Sequence, residues 1–120
     1  MPDDTKTVVK NYFESWKARD FARLRSLLAD DVDYVGPLGH VGNGDGFARS
    51  VEGMSKTMTE VVVHKMIVDG ADALTWFDLK TKGANTTSVA NWSHVENGKI
   101  TRVRVTFDPR GMLAANKKAG

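Results

Sequence analysis

Asn91-Trp92-Ser93-His94-Val95-Glu96-Asn97-Gly98-Lys99-Ile100-Thr101-Arg102-Val103-Arg104-Val105-Thr106-Phe107-Asp108 reads as two long strands joined by a two-residue turn. Asn97-Gly98 supplies the pair of residues that best tolerate the positive φ angles of a type I′ hairpin. Beyond the turn Val103, Val105 and Phe107 alternate with Arg102, Arg104 and Thr106, so one face of the last strand is apolar.

Working back from that hairpin, the same period of two extends to about Thr59. The predicted strands are Glu60 to Val68, Ala73 to Lys80, Thr86 to Glu96 and Lys99 to Asp108, broken at Asp69-Gly70, Gly83-Ala84-Asn85 and Asn97-Gly98. Before Thr59 the period is that of a helix. Val8, Val9, Tyr12, Phe13 and Trp16 form one stripe over Asp4 to Ala18, with acidic residues at the positive end of the dipole. Asp20 is the predicted cap of a second helix burying Phe21, Leu24, Leu27 and Leu28. Asp45 is the predicted cap of a third, burying Phe47, Val51, Met54 and Met58. A short strand, Val32 to Val35, ends at Gly36-Pro37, and Gly39 to Gly46 reads as a loop.

Helices followed by a run of antiparallel strands mean an α+β fold with the helices on one face of the sheet. Long twisted strands curl, so the expected form is a cone, a curved sheet wrapped around three N-terminal helices with room inside for a hydrophobic small molecule. At 120 residues the chain is one domain, with a core expected over about 4–112 and a frayed Ala/Lys/Gly tail over 113–120. It has no cysteine, which excludes disulfides and thiolate metal sites. A net charge of +2 with scattered basic residues gives no reason to expect nucleic acid as a partner. No apolar run is long enough to span a bilayer, and Met1-Pro2-Asp3-Asp4 lacks the basic and apolar regions of a signal peptide, so the expected location is cytoplasmic.

The three helices, the strand within Ala29-Asp30-Asp31-Val32-Asp33-Tyr34-Val35-Gly36-Pro37 and the Glu96-Asn97-Gly98-Lys99-Ile100 hairpin ending in Phe107-Asp108 resemble the nuclear transport factor 2-like (cystatin-like) superfamily. Within it the chain is most similar to the SnoaL-like branch, alongside polyketide cyclases, ketosteroid isomerases and limonene epoxide hydrolases. The resemblance to ketosteroid isomerases implies an oxyanion-binding role for Tyr12, eight residues before Asp20, and a second donor at Asn91. At the position of that family's base stands Gly36, which cannot abstract a proton. Of the epoxide hydrolase residues, Asp78 matches one aspartate, while Trp76 and Val105 replace the arginine and the other aspartate. A lone carboxylate cannot act as acid and base together.

The candidate catalytic residues are therefore Tyr12, Asp78 and Asn91, with Trp16, Tyr34, Phe47, Met54, His64 and Trp76 as binding walls. Asp78 alternates with Leu74 and Trp76, which suggests the inward face and a raised pKa; a register slip of one would make it a solvated strand residue. Tyr12 can equally be a core ring, and Asn91 a structural hydrogen-bonding residue. His64 alternates with Val62 and Met66 and so can face the cone. His40, His64 and His94 stand apart with no paired carboxylates at ligand spacing, so no metal is expected, and the Gly42-Asn43-Gly44-Asp45-Gly46 loop lacks the spacing of a dinucleotide cradle, so no cofactor is implied. If Asn91 and Ser93 point in, then Trp92, His94, Arg102 and Arg104 share the outer face, a surface through which a homodimer is expected. Two functions compete: an isomerase, cyclase or hydrolase acting on a hydrophobic oxygenated substrate, and a non-catalytic ligand-binding or dimerisation module.

Overall fold

The computed structural model describes residues 4–110, so the expected tail and the last residues of the predicted core lie outside the described residues. Helix α1 (Thr5–Lys17) starts where the Asp4 carboxylate accepts from the Thr7 amide at 2.8 Å, and its stripe of Val8, Val9, Tyr12, Phe13 and Trp16 is buried as the spacing predicts. The chain turns through Arg19, which has φ 57°, into α2 (Phe21–Ser26), capped by Asp20. A left-handed arginine is strained. Its guanidinium holds the corner by donating to the carbonyls of Ser55 at 2.7 Å and Met58 at 2.8 Å.

Four local expectations are corrected. Leu28 is buried, but as the first residue of strand β1 (Leu28–Gly36), where it pairs with Ile100; β1 is therefore much longer than the Val32 to Val35 segment. The Gly39 to Gly46 segment is not all loop, because Gly39–Val41 forms β2 and pairs antiparallel with β1. Helix α3 (Gly44–Met54) is capped by Asn43, whose side-chain oxygen accepts from Gly46 at 2.6 Å; Asp45 sits inside the first turn and binds the Arg25 guanidinium at 2.7 Å instead. Met58 is buried at the start of β3 rather than on α3.

Strands β3 (Met58–Asp69), β4 (Asp72–Thr81), β5 (Thr87–Glu96) and β6 (Lys99–Thr106) complete a six-stranded sheet of order β2-β1-β6-β5-β4-β3. All neighbours are antiparallel except β1 and β6. The β5–β6 turn has φ 52° at Asn97 and 77° at Gly98, as a type I′ turn demands. The sheet is curved and unclosed, and α1 lies across its concave face. Phe13 packs edge-on to Phe77 with centroids 5.1 Å apart, and Trp16 meets the same ring at 5.7 Å. Each such fully buried apolar side chain contributes about 1.5–3 kcal/mol through burial. The α+β cone read from the sequence is the fold observed.

Candidate functional site

The inner face of the sheet is set by residue parity. On β4 Ala73, Thr75, Phe77, Leu79 and Thr81 are buried, and on β5 Thr87, Val89, Asn91, Ser93 and Val95. Between the far end of these strands, α1, α3 and the β1–β2 hairpin lies a cavity of about 390 Å³. That is within the range of small-molecule pockets, roughly 300–1,000 Å³. Its walls are mostly apolar and aromatic, and among the described residues no aspartate, glutamate, lysine or arginine lines it.

Six of the predicted site residues meet there: Tyr12, Trp16, Tyr34, Phe47, Met54 and Asn91. Tyr12 is only 3% exposed, and burial, aided by the nearby Tyr34, pushes its phenol well above the ordinary tyrosine range, so it stays a neutral donor. The Asn91 side chain, also 3% exposed, is held through its oxygen, which accepts from the Ser93 hydroxyl at 2.8 Å. Its amide nitrogen has no partner among the described residues. Trp16 is fixed by its indole N–H, which donates to the Ser55 hydroxyl at 3.0 Å.

The other three are elsewhere. Asp78, Trp76 and His64 stand on the outer, convex face, so the expected convergence of Asp78 with Tyr12 and Asn91 does not occur. Asp78 pairs with Val62 and Ser88, its parity opposite to that of Phe77 and Leu79. Its carboxylate accepts from His64 Nε2 at 2.8 Å and from the Ser88 hydroxyl at 3.1 Å. Those bonds, the histidine's above all, hold its pKa below the usual carboxylate value, opposite to the rise expected for an inward carboxylate. Trp76 is 49% exposed. His64 shares the outward parity of Val62, and a bulge between Val63 and Lys65 puts Met66 on the inner face, so the expected alternation with Met66 is broken. The misleading signal was the size of Leu74 and Trp76. The informative one was the longer set Ala73, Thr75, Phe77, Leu79 and Thr81, which also contains Phe77 and Leu79 of the cavity wall.

Wall residues that the sequence reading did not name as site residues include Leu38 in the β1–β2 turn, Val41, Val89 and Val105 on strands, Phe107 just past β6 and Val51 on α3. His40 also borders the mouth, but its ring sits on Asp33, which in turn accepts from Arg104 at 2.9 Å. Across the outer face Trp92 donates to Asp72 at 2.9 Å, and His94, Arg102 and Arg104 stand beside it as the hairpin register predicts.

Among solved structures, an NTF2-like protein of unknown function from Cytophaga hutchinsonii is 26% identical, with a TM-score of 0.82 over 94% of this chain and 97% of that one. An epoxide hydrolase of the LEH-like type from M. tuberculosis is 24% identical with a TM-score of 0.75, covering 93% of this chain and 88% of its own. A steroid delta-isomerase from Pseudomonas aeruginosa shares the fold at 15% identity, with a TM-score of 0.80 over 95% of this chain and 87% of that one. No curated protein sequence matches the chain. The model of the SnoaL-like domain matches residues 9–103, so with this cone, cavity and strand order the chain belongs to the SnoaL-like domain family.

Proposed function

We propose that the cavity binds a hydrophobic small molecule carrying an acceptor oxygen, and that the domain is a ligand-binding module rather than a base-dependent isomerase or hydrolase. The observation that carries this reading is the presence of two neutral donors, the Tyr12 hydroxyl and the Asn91 amide, with no partner among the described residues, on walls where those residues bear no carboxylate. A ligand that fills the cavity without offering an acceptor would strip these donors of water at a cost, and a ligand oxygen removes that cost. A charged ligand would be desolvated with no aspartate, glutamate, lysine or arginine among the described wall residues to meet it. Trp16, Phe47 and Met54 supply the apolar surface. With Asp78 on the far side of the sheet, proton abstraction inside the cavity has no carboxylate base.

Isothermal titration calorimetry with 1-tetralone, a flat neutral ketone of suitable size, tests the reading. The wild type should bind it, and Tyr12→Phe and Asn91→Leu should each weaken binding by about three- to tenfold, the worth of one hydrogen bond. Equal binding by the variants, or no binding by the wild type, counts against it.

We also propose self-association through the outer face. Ile67, Leu74, Trp76 and Trp92 are 39–55% exposed there and adjoin one another, Ile67 pairing with Leu74 and Leu74 with Trp92. Such a patch rimmed by His94, Arg102 and Arg104 is one that a second copy can cover.

A further inference from the structure

Tyr34 has an unusual seat at the cavity mouth. A Cβ built on Gly36, two residues along the same strand, would stand 2.5 Å from the Tyr34 hydroxyl and 3.0 Å from Cζ. The phenol therefore lies back over its own strand, in the space that a side chain at position 36 would need. From the other side α3 holds it, with the Phe47 ring 4.8 Å away at 31°. A side chain clamped between a glycine and an aromatic ring points its hydroxyl in a set direction.

We propose that Tyr34 is a specificity-determining residue of this cavity, its hydroxyl donating to a second acceptor oxygen on the ligand, at the mouth formed by β1 and β2. This rests on the ligand-binding reading and adds a selection rule to it. Tyr12 and Asn91 belong to the deep end, on α1 and β5, whereas Tyr34 shares the mouth with Leu38 and Val41, its cross-strand partner. The Tyr34 hydroxyl has no hydrogen-bond partner among the described residues. In the empty cavity this half-buried group reaches water; a ligand that fills the mouth displaces that water. A ligand with an oxygen there restores the bond, and one without it leaves the phenol unpaired, which is how a site built around a polar group rejects the analogue lacking its partner. Burial raises the Tyr34 pKa, which keeps the group a neutral donor. Gly36 is then part of the same device, because any larger residue evicts the hydroxyl.

The test compares two probes of nearly the same shape by isothermal titration calorimetry, 1-tetralone and 4-hydroxy-1-tetralone, the second having an additional oxygen across the ring. The wild type should favour the hydroxylated probe. Tyr34→Phe should lower that preference about five- to tenfold, with 1-tetralone affinity unchanged or raised. Gly36→Ala should lower the preference in the same direction, with thermal denaturation checking that both variants are folded. An unchanged preference in Tyr34→Phe overturns the proposal and leaves the ligand-binding reading intact. If neither probe binds the wild type, both fall together.

Discussion

The imidazole of His94 donates from Nδ1 to the Asp72 carboxylate at 2.7 Å, across the register pair that joins β4 to β5. Its other nitrogen donates to Glu96 at 3.1 Å. A ring that donates from both nitrogens carries the extra proton. These carboxylates, Asp72 first, hold the His94 pKa above its ordinary 6.5, and the same bond holds Asp72 below its ordinary 3.8.

The consequence is a pH window. The His94 contribution is complete below its unfolded pKa and is lost as pH rises through the raised folded value; that of Asp72 is complete above its unfolded pKa and is lost as pH falls through the lowered one. The pair thus supports the fold most between 3.8 and 6.5. Thermal denaturation of the wild type should show a lower Tm at about pH 8.5 than at about pH 6, and His94→Gln should flatten that difference.

Thr75 is the one described residue with a buried side-chain polar atom lacking any partner. Its hydroxyl is desolvated without compensation, so Thr75→Val, which keeps the shape, should leave stability unchanged or raise it by up to about 1–2 kcal/mol. Urea denaturation measures this. A loss above about 1 kcal/mol would mean that the hydroxyl has a partner in solution.

Trp92→Glu places a charge on the β5 side of the exposed apolar patch, next to Leu74. If two copies meet there, desolvating an unpaired carboxylate should shift the protein to monomer. Sedimentation velocity at micromolar concentration reads the outcome, and a wild type that is already monomeric removes the self-association proposal.

Asp78→Asn separates the two faces of the sheet. On the outer face the change weakens only the bonds from His64 and Ser88, so 1-tetralone affinity should stay within about twofold of the wild type, whereas Asn91→Leu should not. A large loss of affinity in Asp78→Asn would contradict the placement of that carboxylate outside the cavity.

What the sequence determined by itself was the order and kind of the elements. Helical spacing of Val8, Tyr12 and Trp16, alternation in the last strands and the Asn97-Gly98 turn are local properties, legible because backbone geometry imposes each period on its own segment. The inward placing of Tyr12 and Asn91 was legible for the same reason, since each lies on an unbroken periodic run. Tertiary structure decided which parity of β4 faces the helices. Both parities carry large apolar residues, Leu74 and Trp76 on one side and Phe77 and Leu79 on the other, so hydrophobicity alone does not choose. The choice falls to packing, which puts small Ala73 and Thr75 on the concave face beneath α1 and leaves Trp76 and Asp78 outside. On β3 His64 keeps the outward parity of Val62, and the bulge between Val63 and Lys65 turns Met66 to the inner face. A one-residue change of register reverses every side chain beyond it, and only the assembled sheet shows where that change occurs.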